Sequence, residues 1–188
     1  MKKLSWKNVL TGKLVAAACG ACLFLFTLPA NAGLLTFDTL PNNTEGLAVP
    51  SNYGGLQWQN LFCVNGLTNI YNPSGYQAGL VSKNNDVFNG FGNSASIYVD
   101  SGLFILNSVS LTGAWNDNLQ VQITGFFRGR QVYNHTFTLS ATKPTSIHLG
   151  IVADEVDFAS FGGTKHTAYE GGSGEQFAMD NVNVIVVK

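Results

Sequence analysis

The alternation of apolar and polar residues along the chain predicts β-strands. The clearest example is residues 119–127, in which Leu119, Val121 and Ile123 alternate with glutamine and threonine. Strict alternation is typical of a strand that buries one face and exposes the other. No stretch after Gly33 has a convincing helical period. Turn residues recur about every 8–12 residues, which is typical of a β-sandwich or a barrel.

The spacing of apolar runs and turns predicts about nine or ten antiparallel strands. The expected strands span residues 33–40, 56–64, 95–99, 104–115, 119–127, 131–139, 145–149, 155–161 and 176–187. A shift in apolar spacing at Asn107-Ser108 predicts a bulge, and Arg128-Gly129-Arg130 predicts a tight hairpin. Residues 65–92 and 162–174 have the composition of long loops. This order of hairpins and long crossing loops predicts an all-β fold, a jelly-roll β-sandwich.

The first 32 residues have the three parts of a secretory signal peptide. Four lysines and an apolar run from Leu14 to Leu28 precede Ala30-Asn31-Ala32, which matches a cleavage site. The apolar run has about 15 residues, fewer than the roughly 20 that a membrane-spanning helix needs. We therefore expect a signal-peptide helix at residues 1–32 and a single mature domain at residues 33–188. The mature protein is then secreted, extracellular or periplasmic, with no membrane span.

The distribution of charge excludes two classes of partner. All 11 acidic residues but only 6 of the 10 basic ones follow Ala32, so the mature domain has a formal net charge of −5. An acidic domain without a basic patch binds nucleic acid and anionic lipid poorly, whereas cations and neutral sugars are compatible partners. Cys63 is the single cysteine after the cleavage site, and we expect it to be a small buried residue. We also expect a monomer.

Five segments occur in an order that resembles a group of secreted bacterial proteins. They are FDTLP, YGGLQW, SVSLTGAWNDNLQVQITGFFRGRQVY, FGG and GGSGEQFAMDNV. Many members of the group carry a PEP-CTERM sorting tail, and related sequences occur in fungi. The resemblance implies a jelly-roll sandwich similar to the galactose-binding-like carbohydrate modules. No PEP motif follows Val187-Lys188, so we expect release rather than surface anchoring.

The same resemblance implies a structural calcium ion near the first and last strands. Asp38 and Asp180 occupy those two places, with Asn181 beside the second, and Glu45 in the loop after the first strand adds a further ligand. Calcium takes six to eight oxygen ligands from carboxylates, amides and backbone carbonyls. In this interpretation the two termini pair in the middle of the sandwich. The alternative is that both aspartates accept backbone hydrogen bonds in turns.

Several aromatic and polar residues are candidates for a glycan-binding surface. Sugars have apolar C–H faces and polar edges, so aromatic rings combined with amides or carboxylates recognise them. The candidates are Tyr71, Tyr76, Trp115, Asn116, Asp117 and Tyr169. Core packing is the alternative for Trp115, whereas the three tyrosines lie in predicted loops, where an exposed aromatic residue is more informative.

No catalytic signature is present in the sequence. Asp154, Glu155 and Asp157 cluster before a strand, and Glu170 and Glu175 lie in the last loop, but sequence spacing does not give their separation in space. The histidines lack metal-binding spacing, and no serine lies in a G-x-S-x-G motif. We therefore expect a secreted, non-catalytic protein that binds a glycan or another surface component. The alternatives are a small secreted carbohydrate-active hydrolase and a structural matrix or surface protein.

Overall fold

The computed structural model describes residues 30–188, so most of the predicted signal peptide lies outside the described residues. The strands are β1 (Ala30–Leu35), β2 (Leu47–Ala48), β3 (Gln57–Gln59), β4 (Leu61–Asn65), β5 (Asn85–Asn89), β6 (Ala95–Tyr98), β7 (Leu103–Gly113), β8 (Asn116–Asp117), β9 (Leu119–Phe127), β10 (Arg130–Leu139), β11 (Thr145–Ala153), β12 (Glu155–Phe161), β13 (Thr164–Lys165) and β14 (Phe177–Val187). One short helix, α1 (Gly75–Ala78), and two 3-10 turns complete the described elements. None of the described helices is long and apolar enough to cross a membrane.

Two antiparallel sheets pack face to face. The larger sheet has the order β11-β7-β14-β5-β4-β2, with β1 also paired to β14, and the smaller sheet has the order β10-β9-β12-β6-β3. Most consecutive strands lie in opposite sheets, so the chain crosses repeatedly between the two layers. The predicted all-β sandwich of jelly-roll type is confirmed. The strand count exceeds the predicted nine or ten, partly because β2, β8 and β13 have only two residues each.

The core lies between the sheets, and its side chains follow the predicted alternation. Leu119, Val121 and Ile123 on β9 are all fully buried. Cys63 is also buried in this core, as predicted, and burial first, then Asp86 and Asp38, raises the pKa of its thiol to about 12. A thiol with so high a pKa carries almost no thiolate near neutral pH, so Cys63 packs as an apolar residue.

The predicted pairing of the first and last strands is confirmed. β1 runs antiparallel to β14, with Gly33 opposite Val184 and Leu35 opposite Val182. The predicted end of the first strand is wrong, because β1 stops at Leu35 rather than Leu40. Phe37 has a φ of 62°, which a strand cannot contain, and the chain turns there. Asp38 therefore lies in a turn.

The predicted loop at residues 65–92 contains a strand in the middle of the larger sheet. This strand, β5, pairs with β4 on one side and with β14 on the other. Three of its five residues, Asn85, Asp86 and Asn89, are polar and fully buried. A strand with so many polar residues resembles a loop in composition, which explains why apolar spacing does not reveal it.

Two local predictions, the bulge and the hairpin turn, are confirmed by the strand register and the backbone dihedral angles. Asn183 pairs with Ser108 while Val184 pairs with Leu106, so Asn107 is the extra residue of a bulge. Arg128 and Gly129 both have positive φ values, as a two-residue hairpin turn requires. Asp154 also supports this turn, because its Oδ2 accepts the Arg128 N–H at 2.6 Å.

A second cluster of buried residues lies on the outer face of the larger sheet. Val64 and Ala178 from the sheet pack there against Tyr76 of α1, together with Trp115 and Tyr169. We call residues 66–84, which include α1, the cover segment. Outer-face side chains of β5 and β14 are thus buried beneath the cover segment, although they do not face the sandwich core.

Two carboxylates anchor the end of the cover segment. Asp180 Oδ2 accepts the backbone N–H groups of Val81 and Ser82, both at 2.7 Å, and its Oδ1 accepts the Ser82 hydroxyl at 3.1 Å. Asp38 accepts the N–H groups of the next three residues, Lys83 to Asn85, at 2.8–3.2 Å. Burial opposes ionisation of Asp38, but these N–H donors outweigh it and lower its pKa. The two aspartates thus act as acceptors for consecutive backbone donors.

Asp86 is a carboxylic acid without a hydrogen-bond partner. Its side chain is fully buried, and neither carboxyl oxygen has a partner among the described residues. The register of β5 and β14 places Asp86 across from Asp180. Burial, followed by the charge of Asp180, raises the pKa of Asp86 well above its ordinary value. Burial also raises the pKa of Asp180, but the N–H donors from Val81, Ser82 and Asn181 oppose that effect. Of the two carboxyl groups, Asp86 is therefore the one that more readily retains a proton.

We predict that the substitution Asp86→Asn stabilises the protein increasingly as the pH rises. A raised folded pKa means that Asp86 contributes full stability below its unfolded pKa of about 3.9 and loses it as the pH rises toward the folded pKa. The free energy of unfolding of the variant relative to wild type should therefore rise by about 1.4 kcal/mol per pH unit over that range. Urea unfolding at several pH values, with a chelator present, measures this difference.

The control for this prediction is Asp100→Asn, which removes the same charge from an exposed residue whose acceptor oxygen for Gln57 is retained as an amide. The difference in free energy of unfolding between Asp100→Asn and wild type should not rise by about 1.4 kcal/mol per pH unit. A difference between Asp86→Asn and wild type that stays constant with pH would show that Asp86 does not hold a proton in the folded state.

Candidate ligand-binding groove

A groove of about 380 Å³ opens on the outer face of the larger sheet, beside the cover segment. Six aromatic residues, four glycines and three polar residues line it. They are Phe62, Tyr71, Tyr76, Phe88, Phe91 and Trp115; Gly46, Gly90, Gly171 and Gly172; and Glu45, Ser173 and Gln176. This mixture of aromatic surface and a few polar groups is typical of a small-molecule or sugar site.

Two phenylalanines of the sheet contribute neighbouring aromatic surface to the groove. Phe62 on β4 and Phe88 on β5 are directly opposite in the ladder. Their rings stack with centroids 5.8 Å apart and planes 30° apart. Strand alternation sends Cys63 and Val87 into the sandwich core, so Phe62 and Phe88 point to the outer face. Both rings are only partly buried and leave surface for a ligand.

A buried aromatic group supports one side of the groove. Trp115 is 3% exposed and packs edge to face against Tyr76, at 5.7 Å, and against Tyr71, at 6.3 Å. Tyr76 is also nearly buried, and burial raises its pKa, with Asp86 adding to the effect. Rings held perpendicular in this way are rigid contact surfaces. Trp115 and Tyr76 therefore stabilise the groove while showing little of their own area to solvent.

Phe91 is the most exposed large apolar residue among those described. Its side chain is 89% exposed, and its φ of 57° lies in the left-handed region. It sits between Gly90 and Gly92 in a 3-10 turn at the end of β5. A non-glycine residue in this conformation costs free energy, and such residues concentrate at functional sites. An exposed phenylalanine beside an aromatic groove is the strongest sign of a ligand surface in this structure.

Glycines let the backbone come close to the aromatic rings. A Cβ on Gly46 would lie 2.8 Å from Cζ of Phe88, and a Cβ on Gly90 would lie 2.6 Å from Cε2 of Phe62. A Cβ on Gly172 would likewise overlap the indole ring of Trp115. Side chains at these three positions would displace the rings, so the groove depends on glycine there.

Polar groups with free hydrogen-bonding capacity border the aromatic surface. The Glu45 side chain is exposed, and its carboxylate makes no hydrogen bond or ion pair with the described residues. Gln176 Oε1 is buried and lacks a hydrogen-bond partner in the described part of the chain. The hydroxyl groups of a ligand can donate hydrogen bonds to the exposed Glu45 carboxylate, whereas the buried Gln176 Oε1 is not open to a ligand in this conformation.

The glycine-rich loop between β13 and β14 forms another wall of the groove and is fastened at several points. His166 Nδ1 lies 2.6 Å from Asp117 Oδ2, and the His166 backbone N–H donates to Trp115 O at 2.8 Å. The Tyr169 hydroxyl donates to Ala141 O at 2.8 Å. The His166 hydrogen bond is the main cause of the lowered pKa of Asp117. This loop supplies Gly171, Gly172 and Ser173 to the groove.

The structure separates the predicted ligand residues into two sets. Tyr71, Tyr76 and Trp115 come together at the groove. Asn116, Asp117 and Tyr169 do not line it: Asn116 donates to Gly162 O, and Asp117 binds His166. Tyr169 is 6% exposed and packs in the outer-face cluster, although its loop position predicts an exposed ring.

The four predicted calcium ligands also divide. Asp38 and Asp180 both bind the end of the cover segment through N–H groups, as in the alternative stated above. Asn181, next in the chain, has a buried Oδ1 that lacks a partner among the described residues. Glu45 lines the groove instead. Within residues 30–188, no group of three or more histidine, cysteine, aspartate or glutamate residues is placed to hold a metal ion.

The sequence did not point to four residues of the groove. Phe62, Phe88 and Gln176 lie in or beside strands, where their outward direction follows only once the register is known. Phe91 had a usable signal, because a phenylalanine between two glycines in a polar turn has little core to enter.

Comparisons with known proteins find similarity in architecture only. No protein-family profile and no curated protein matches the sequence. One similar solved structure is TmCBM61 in complex with beta-1,4-galactotriose, at 10% identity, covering 69% of this chain and 86% of that chain, with a TM-score of 0.37.

Two further solved structures are similarly distant. A mutant of CBM29-2, a family 29 carbohydrate-binding module, has 12% identity, covers 82% of this chain and 90% of its own, and has a TM-score of 0.37. The K2 cleaved adhesin domain of Lys-gingipain has 14% identity, covers 81% and 97%, and has a TM-score of 0.38. At these identities the likeness concerns the β-sandwich alone.

We predict that His166→Ala loosens the glycine-rich wall of the groove. Loss of the contact with Asp117 should increase amide hydrogen exchange in residues 162–176 by up to about fivefold, since a partly exposed side-chain hydrogen bond contributes about 1 kcal/mol. Exchange followed by mass spectrometry at pH 7 measures this effect. His148→Ala, at an exposed histidine outside this loop, is the control.

The pH dependence of this contact has a defined sign. Because the pKa of Asp117 is lowered in the folded state, its contribution is present above the unfolded pKa and is lost as the pH falls through the folded pKa. The effect of His166→Ala on stability should therefore be larger at pH 7 than at pH 3. Equal exchange in wild type and variant would show that the pair does not hold this loop.

Proposed function

We propose that the protein is an exported, non-catalytic β-sandwich protein that binds a glycan in the aromatic groove. The single observation that carries this proposal is Phe91, which is 89% exposed and held in a strained conformation at the groove. Exposure of a phenylalanine ring to water is unfavourable unless a ligand covers it. The apolar C–H face of a sugar ring suits such a surface.

The polar groups of the groove suit the edges of a sugar. Glu45 presents carboxylate oxygens without partners among the described residues, and Ser173 adds an exposed hydroxyl group. Sugar hydroxyls donate and accept hydrogen bonds, so the same ligand that covers the rings satisfies these oxygens. The aromatic rings, the free acceptor oxygens and the glycine backbone of the groove all suit the same class of ligand, a glycan.

The groove supports the two alternative functions less well. A typical glycoside hydrolase needs two carboxyl groups about 5–10 Å apart, and Glu45 is the only acidic residue among those that line the groove. A purely structural matrix protein has no need for a concave aromatic surface with unpartnered polar groups. Binding therefore explains more of the geometry than either alternative.

We predict that Phe91→Ala weakens glycan binding by about 10- to 100-fold. This range corresponds to losing the burial of one phenylalanine ring, about 1.5–3 kcal/mol. A broad array of neutral polysaccharides identifies a ligand, and titration calorimetry with wild type and variant measures the affinity. Phe161→Ala is the matched control, because Phe161 is also exposed but lies on β12, outside the groove. Silence of the wild-type protein across the whole array would refute glycan binding.

Calcium binding near the two termini stays a separate prediction. The hydrogen bonds to Asp38 and Asp180 satisfy those carboxylates without an ion. Asn181, the ligand predicted beside Asp180, has a buried oxygen that lacks a partner among the described residues and that suits a hard cation. A cation that binds only the folded state should raise the midpoint temperature of thermal unfolding. At a concentration of 100 times its Kd, it adds about 2.7 kcal/mol to the free energy of unfolding. Unfolding with calcium and with a chelator measures this, and Asp180→Ala should abolish the shift. An unchanged midpoint would exclude the structural ion.

A further inference from the structure

We propose that the groove selects uncharged glycans over acidic ones and that Glu45 sets this selection. The proposal rests on the proposed function, since it assigns a ligand class to the same groove. Glu45 is the only charged residue among those that line the groove. Lysine, arginine and histidine are all missing from that lining.

Acidic sugars need cations that this groove does not offer. Carboxylate and sulfate groups are typically held by arginine or lysine in charge-assisted hydrogen bonds. Two further acidic residues, Glu170 and Glu175, flank the glycines of the loop wall in the sequence, although neither lines the groove. Glu175 uses one carboxylate oxygen to accept the Gly162 N–H at 2.6 Å, so it is fixed close to this wall. An anionic ligand would meet the Glu45 carboxylate with no cationic side chain among the lining residues to compensate its charge.

The position of Glu45 is defined by its own loop. Asn43 Oδ1 accepts the backbone N–H groups of both Glu45 and Gly46, at 2.9 and 2.6 Å. Thr44 O accepts the N–H of Ile70 in the cover segment at 3.2 Å. Gly46 then lies directly against the Phe88 ring. The backbone of Glu45 is therefore held beside the aromatic surface. Its exposed carboxylate makes no hydrogen bond with the described residues and is free to accept hydrogen bonds from two sugar hydroxyls.

The Glu45 carboxylate thus affects neutral and acidic sugars in opposite ways. A neutral sugar gains hydrogen bonds to the carboxylate, and these bonds are strengthened by its charge. A sugar that carries a carboxylate or sulfate in place of a hydroxyl is repelled by the like charge of Glu45. It also supplies no hydroxyl donor at that position, so the Glu45 carboxylate loses a hydrogen bond. The repulsion weakens with salt, because the side chain is exposed and ions screen it.

The test uses pairs of glycans that share a backbone and differ in charge. Suitable probes are methyl-esterified and de-esterified homogalacturonan, desulfated and sulfated galactan, and cellulose and carboxymethyl cellulose oligomers. Wild-type protein should bind the neutral member of a recognised pair at least tenfold more tightly than the acidic member. Raising the salt concentration from 0.05 to about 0.5 M should narrow this ratio, because the Debye length falls several-fold.

Two substitutions at Glu45 assign the selection to this residue. Glu45→Gln keeps the size and an acceptor oxygen, so it should still bind the neutral member while the ratio narrows at least threefold. Glu45→Lys should narrow the ratio further or reverse it. Because Glu45 is exposed, both variants should fold, and their thermal midpoints confirm this. An unchanged ratio of neutral to acidic glycan affinity in both variants would show that Glu45 does not set the selection.

The outcomes separate this proposal from the function on which it rests. Tight, Phe91-dependent binding of acidic glycans by the wild-type protein would overturn charge selection but leave glycan binding intact. Absence of binding to every probe and to the wider array would overturn both. Phe91-dependent binding of neutral probes with weak binding of their acidic partners would support both.

Discussion

The outer surface of the larger sheet depends on two aspartates that hold the end of the cover segment. Asp180 and Asp38 accept five consecutive backbone N–H groups, from Val81 to Asn85. Backbone donors buried without partners destabilise a protein, and these carboxylates supply the partners where no strand does. Asp180 lies on the last strand and Asp38 follows the first. The segment is therefore fixed only when both ends of the domain are in place.

The groove inherits its shape from this arrangement. Tyr71 and Tyr76 of the cover segment pack against Trp115. The next strand, β5, contains Phe88 and ends at Asn89, two residues before Phe91. A shift at residues 81–85 would therefore move aromatic residues on both sides of the anchor. The ligand surface is built from loops, but its position is set by the central strands, which is how rigid β-sandwiches commonly display binding residues.

The sequence predicted the sandwich well, because its evidence is local. Alternation on β9, the turn at Arg128-Gly129 and the shift at Asn107 each follow from neighbouring residues. The sequence did not predict β5, because its buried polar residues are hydrogen-bonded or covered by parts of the chain that are distant in sequence. Asn85, for example, donates to Phe37 O and Leu40 O. The groove was predicted in part, through Tyr71, Tyr76 and Trp115. Phe62, Phe88 and Glu45 meet there because of register and loop packing, which sequence spacing does not contain.

The pairing of β1 with β14 bears on the predicted signal-peptide cleavage. The ladder begins at Ala30, with Ala32 opposite Ile185 and Gly33 opposite Val184, so the peptide bond of the predicted cleavage site lies within paired strands. A peptidase binds its substrate as an extended, accessible chain, and a residue in a β-ladder is not available in that way. Cleavage after Ala32 would thus have to come before the termini pair. On the prediction that this cleavage takes place, Gly33–Leu35 would be the part of β1 that remains to pair with β14.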